Sequence, residues 1–132
     1  MCIYDLLNAR TIALIDLFFG DCGKGHIINW LIWFLEKFGD PVNIVVSPFG
    51  GPNAGHQFEL NGKKYTFSQI PSCINPEIVK ICGNGKVINP LRFVAEMKRL
   101  EEDGVNLDKL YISDKATMIL PYYEAVEELF EL

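Results

Sequence analysis

The sequence predicts an α/β fold with a largely parallel sheet, flanking helices and one β-hairpin, and three features carry that prediction. An apolar, β-branched run at residues 11–18 (TIALIDLF) leads into a glycine-rich turn. Apolar residues at helical spacing follow, and then a second apolar run at residues 42–47 (VNIVVS). Strand, turn, helix and strand in that order are the parts of a βαβ unit, whose right-handed crossover leaves its strands parallel. Third, Asn61-Gly62 separates two short runs, residues 57–60 and 63–67, and that dipeptide between short strands signals a tight hairpin.

Each element has its own signal. The first run is short and β-branched, as a buried strand should be, with Asp16 interrupting it. Ile27, Leu31, Phe34, Leu35 and Phe38 then recur at helical spacing, and Trp30 and Trp33 widen the apolar face, so this helix is expected to be covered on more than one side. Gly39-Asp40-Pro41 stops it. After the hairpin, residues 78–82 read as a strand and Gly83-Asn84-Gly85 as a turn. Asn89-Pro90 opens a helix to about residue 102 that carries Phe93, Val94, Met97 and Leu100 on one face and ends at Gly104. Residues 110–113 form a further strand. Pro121 starts a last helix with Val126, Leu129 and Phe130 on one face.

Composition narrows the function. The chain has 132 residues, a length that suits one domain, and 49% are hydrophobic against 22% charged, enough to bury a core. The net charge of −5 and the lack of a basic stripe argue against a nucleic-acid partner. The most apolar stretch, residues 27–38, is shorter than the roughly 20 residues a membrane span needs. No signal peptide is evident, because Asp5, Arg10 and Asp16 break the early apolar residues. Cys2, Cys22, Cys73 and Cys82 form no CxxC pair and there are only two histidines, so free thiols in a reducing cytoplasm are expected rather than zinc. Mean hydropathy is +0.15, which points to apolar surface meant to be covered.

Two constellations can carry chemistry. The first is GDCGKGH, Gly20 to His26, between the first strand and its helix. Gly20, Gly23 and Gly25 let peptide N–H groups turn toward an anion, Lys24 adds a charge, and the helix start adds its dipole. Asp21 is poorly placed to greet a phosphate but suits a Mg²⁺ ligand or a base beside one. The segment is not a Walker A loop, since its spacing differs and no Ser or Thr follows the lysine. An ordinary glycine-rich turn would look the same. The second is GGPNAGH, Gly50 to His56, after the second strand. In a parallel sheet both loops leave the carboxyl edge, where ligands bind. Asn53 and His56 offer an amide and an imidazole there, although a plain surface turn would carry them as well.

Together, GDxGKG followed by GGxNAGH resembles the adenylosuccinate synthetase family. The resemblance continues in register through Asn61-Gly62-Lys63, Ile70-Pro71-Ser72, Gly83-Asn84-Gly85, Asn89-Pro90, the MKRLEEDG stretch ending at Gly104, Ile112-Ser113 and Pro121-Tyr122. It implies a P-loop-like ligase fold of which residues 1–132 are the N-terminal phosphate-binding part. It also implies a reaction in which GTP phosphorylates the purine oxygen of IMP and L-aspartate then displaces it. By the same resemblance Asp21 is the general base and His56 its acid partner. Gly20, Cys22, Gly23, Lys24 and Gly25 cradle phosphates, the amide of Cys22 acting through the backbone. Asn53 contacts the nucleotide, and Asp21 and the Gly55 carbonyl hold Mg²⁺. The family is a homodimer, so a second copy or a complementing C-terminal chain is the implied partner. Cys22, His26, Gln57, Cys73 and Tyr123 depart from the family's usual Glu, Lys, Thr, Gly and His. The family's later substrate-phosphate, aspartate and guanine loops have no counterpart in these residues, so the chain alone is expected to be inactive. Two other readings stay open. One is a degenerate phosphate-binding or synthetase-docking module. The other is the viral branch that acts on a guanine-type deoxynucleotide, which often alters the aspartate retained here as Asp21.

Overall fold

The computed structural model describes residues 9–15, 17, 23–53, 55–60 and 62–130. Among these, the elements run α1 (Lys24–Lys37), β1 (Ile44–Gly50), β2 (His56–Leu60), β3 (Lys63–Phe67), β4 (Val79–Ile88), α2 (Pro90–Glu102), β5 (Leu110–Ile112), β6 (Thr117–Met118) and α3 (Pro121–Phe130). β4 is the hub of a parallel sheet. It pairs with β1 on one side, Ile44 opposite Val79, and with β5, Lys80 opposite Leu110. β6 pairs with its far end at Val87 and Ile88. β2 and β3 form the expected antiparallel hairpin, closed by the Leu60–Lys63 pair. Gly62 takes φ 77°, the left-handed conformation that tight hairpin turns require; Asn61 lies outside the described residues. Among the described residues the fold is therefore α/β with a parallel sheet, one hairpin and three helices. No helix among the described residues is long and apolar enough to cross a membrane.

Local chemistry explains the helix ends. The Asn89 side chain accepts from the Arg92 N–H at 3.1 Å while Pro90 starts α2, a combined N-cap and N1 signal. At its other end Gly104 turns left-handed at φ 84°, the Gly104 N–H donates to Glu101 O and the Val105 N–H to Leu100 O. That is a Schellman closure, and Val105 and Leu100 are both in the core beside it. α1 ends the same way, with Gly39 at φ 78°, Gly39 N–H to Glu36 O and Asp40 N–H to Leu35 O. The main core joins Phe58 and Phe67 of the hairpin, Ile70, Cys82 and Ile88 of β4 and Phe93 and Leu100 of α2. A smaller cluster joins Ile32 of α1 to Cys73 and Ile78.

Three expectations are corrected. Residues 11–15, read as the first part of a strand, form neither helix nor strand, and Ile12, Leu14 and Ile15 are exposed; Asp16 and Phe18 lie outside the described residues. An apolar run becomes a strand only when its N–H and C=O groups find a ladder, and among the described residues β1 is paired only with β4. Gly83-Asn84-Gly85 is no turn but lies inside β4. A Cβ on Gly83 would sit 2.8 Å from the Pro48 Cα, and one on Gly85 3.0 Å from the Pro48 oxygen. The glycines are there because the backbone of β1 lies against them, at the register shift between Ser47 and Phe49. Finally, the described residues do not cover α1 on more than one side. It buries Gly25, Ile32 and Leu35, while Trp30 and Trp33 remain half exposed. β6, a two-residue strand, gave no signal in the sequence.

Candidate phosphate-binding site

α1 begins where the sequence places a phosphate loop. Gly23 is its N-cap at φ 70°, a conformation that disfavours side chains, and no side-chain hydrogen bond from the described residues caps the helix. Lys24 is the first helical residue, and the His26 and Ile27 N–H groups both reach back to Gly23 O, at 3.0 and 3.1 Å. A helix start with a glycine N-cap, and with a lysine in its first turn, is an anion-binding geometry. Gly20, Asp21 and Cys22 lie outside the described residues.

The second loop comes to this helix start. His56 is the first residue of β2, half-buried, and a Cβ on the buried Gly25 would meet the His56 Cβ at 3.3 Å and the Ser72 Oγ at 3.6 Å. Glycine at 25 therefore permits the close approach of α1, the histidine strand and the Ile70-Pro71-Ser72 segment. His26 adds an edge-to-face contact with Phe58, with centroids 6.4 Å apart. Asn53 and Gly55 are exposed on the loop between β1 and β2, with the Asn53 amide oxygen folded to 3.2 Å from where a Cβ on Gly51 would lie. The structure thus brings together Gly23, Lys24, Gly25 and His56 at the loop that leaves the carboxyl end of β1.

Sequence reasoning missed the residues that hold this arrangement. Asn29 donates from its amide to Gly25 O at 2.9 Å and to Ser72 O at 2.8 Å, stitching the helix start to the Ile-Pro-Ser segment. A polar residue one turn after Gly25, within the otherwise apolar run of residues 27–35, was the signal available. Glu96 of α2 accepts from three consecutive peptide N–H groups, those of Ser68, Gln69 and Ile70, at 2.7, 2.9 and 3.3 Å. The buried Gln69 completes the brace, accepting from Asn89 N–H at 2.7 Å and donating to Asn89 O at 3.4 Å. Two lysines of β4 are also buried. Lys80 donates to the carbonyls of Asn75 and Ile78 at 2.9 and 3.3 Å, and burial pushes its pKa down. Burial likewise lowers Lys86, against the opposing effects of Cys82 and Glu96. Burial pushes the Cys82 thiol up to about 11 and raises Cys73 as well, so both are protonated at neutral pH.

Fold and site together define the class: an α/β protein with a glycine-hinged, lysine-bearing helix start packed against a histidine that opens the hairpin following a parallel strand. Comparison with known proteins gives the family. A family model described as adenylosuccinate synthetase matches residues 13–132. The adenylosuccinate synthetase of Clostridioides difficile is 37% identical over 123 residues, which cover 92% of this chain and 27% of that protein. The one from Streptococcus sanguinis is 39% identical over 122 residues, 92% of this chain and 27% of that protein. A solved structure of fully ligated adenylosuccinate synthetase from Plasmodium falciparum superposes with a TM-score of 0.65 at 30% identity, covering 85% of this chain and 24% of that one. The chain belongs to the adenylosuccinate synthetase family. It spans 27% of the length of the first two relatives.

Proposed function

We propose that the chain is the N-terminal phosphate-binding part of a cytoplasmic carbon–nitrogen ligase. Its reaction joins L-aspartate to IMP in purine nucleotide synthesis, with GTP as phosphoryl donor. The observation that carries this reading is the packing of His56 on Gly25. The His56 Cβ lies against a helix start suited to phosphate, which supports an imidazole acting there, as transfer of a phosphoryl group to a purine oxygen needs.

The chain's own residues then act as follows. Lys24 and the peptide N–H groups of residues 20–25 bind the nucleotide phosphates. Asn53 orients the nucleotide substrate. Asp21 takes the proton from N1 of the purine, which directs electron density to the oxygen that is phosphorylated. His56 donates to the transferring group and that oxygen, holding the charge that develops there. Asp21 and the Gly55 carbonyl supply hard oxygen donors, the chemistry Mg²⁺ takes, and Gly55 is exposed, so its carbonyl is on an accessible loop. Bound there, Mg²⁺ neutralises phosphate charge.

Two assays test the reading. Alone with IMP, GTP, Mg²⁺ and L-aspartate, the chain is expected to form no adenylosuccinate, because catalysis needs every reacting group held at once. Grafted into the Clostridioides difficile synthetase in place of its aligned segment, it is expected to support product formation. Asp21→Ala or His56→Ala in that graft should cost about 10²–10⁴ in rate. A graft that folds and binds IMP yet makes no product would sink the ligase reading and leave a phosphate-binding module.

A further inference from the structure

A second concave feature lies apart from the α1 start. α2 contributes Arg92, Ala95, Glu96 and Arg99 to a cleft of about 280 Å³, the loop after β3 contributes Ser68, and the glycine-rich loop contributes Pro52. Arg92 and Arg99 are two turns apart on one helix face, and Ala95, the small residue between them, leaves the space open. The Glu96 carboxylate in the same cleft is already committed to three peptide N–H groups, and the buried Lys86 side chain lies within electrostatic reach of it. Arg99 donates to Thr66 O, which fixes its guanidinium, and a guanidinium has five N–H donors to share. The Ser68 hydroxyl is a further donor. In a chain of net charge −5, the residues lining this cleft carry two guanidinium groups against one engaged carboxylate.

We propose that this cleft is a second anion site, which takes the phosphate group of a small phosphorylated molecule between Arg92 and Arg99. The planar fork of a guanidinium matches the geometry of phosphate oxygens. The volume lies at the small end of ligand pockets, which suits one phosphate, free or at the end of an ester, rather than a dinucleotide. Because Pro52 lines the cleft, an anion there also restrains the loop that carries Asn53, Gly55 and His56. The site stands independently of the ligase reading, since none of its residues belongs to the proposed catalytic pair.

Amide NMR titration of the full chain tests it, with inorganic phosphate in one arm and IMP in the other. Saturable shifts are expected at Ser68, Ala95 and Arg99. The Arg92→Gln/Arg99→Gln double variant should weaken them at least tenfold, and Ala95→Leu, which fills the cleft without changing its charge, should do the same. Lys24→Ala should leave them within twofold. Saturation by inorganic phosphate identifies the free anion as ligand, and saturation by IMP alone identifies the ester. Should the double variant lose its fold with the Thr66 contact, Ala95→Leu still decides. Shifts that disappear with Lys24→Ala, that ignore Ala95→Leu, or that follow ionic strength without saturating would overturn the proposal.

Discussion

The hairpin–α2 region and the α1 region of this chain are finished to different degrees. Around Glu96, Gln69 and Asn89, polar groups are buried and each has partners, and Phe67, Ile88 and Leu100 are fully enclosed. Along α1 the reverse holds. Trp30 and Trp33 are 51% and 55% exposed, and Leu17, just before the helix, is 94% exposed. α3 resembles α1, with Leu129 at 71% and Phe130 at 86%. Buried polar atoms need their partners in place, because an unmet donor costs about 1–3 kcal/mol. Apolar residues can wait for a partner at the cost of their unburied area. The first region therefore stands on its own contacts, and the second presents surface that nothing among the described residues covers.

The largest expected effect falls on the finished region. Glu96→Ala removes one acceptor group from three consecutive peptide N–H groups. Its cost should be about 2–4 kcal/mol, read as a fall in urea midpoint at constant m-value. Should Glu96→Ala cost no more than a surface substitution, the loop it braces relaxes into water and the contrast between the regions breaks.

A middling effect is expected where β1 and β4 touch. Gly83→Ala places a Cβ 2.8 Å from the backbone of Pro48, an atom that cannot swing aside, so a loss of about 1–3 kcal/mol is expected. Gly55→Ala, where nothing lies within 4 Å, should stay within about 0.5 kcal/mol. Equal losses in thermal melts would show that backbone freedom, not close approach, governs both glycines.

Legibility in the sequence followed the range of the interaction. Asn89-Pro90, Gly104, Gly39 and Asn61-Gly62 act on their own neighbours, and the helix ends and the hairpin fell where those residues said. The two glycine loops were expected to meet because both would leave the carboxyl edge of a parallel sheet. Gly25 does lie against His56, yet residues 11–15, where the first of those two strands was expected, form no strand, so the contact comes from the packing of α1 on β2 rather than from that topology. Gly83 and Gly85 misled, because glycine marks a turn and a close backbone approach with the same letter. Residues 11–15 misled because an apolar run reports a wish for burial, not the presence of a cover. Glu96 was illegible, since its partners lie 26 to 28 positions away, and Asn29 showed only as a polar residue in an apolar run, its second partner being 43 positions away. Asp21, on which the proposed chemistry depends most, lies outside the described residues.

The smallest effect on folding should come from the open face of α1, where a different observable moves most. Trp30 stacks on Phe34 with centroids 5.0 Å apart, Phe34 meets Phe38 at 4.7 Å, and Lys37 lies 5.0 Å above the Trp33 ring. These contacts run along the helix and build an aromatic ridge without hiding it. Burying one such side chain is worth roughly 1.5–3 kcal/mol, against a net stability of about 5–15 kcal/mol for a domain of this size. Association through the ridge is therefore favourable for the chain on its own, and its sedimentation coefficient and melting temperature should rise with concentration. Trp30→Gln/Trp33→Gln keeps good helix formers at both positions, so dilute stability should change by less than about 1 kcal/mol while the concentration dependence is lost. A wild-type chain that sediments as a monomer at every concentration, with a high and constant melting temperature, would show that the α1 face needs no cover, and the contrast between the two regions would reduce to one of composition.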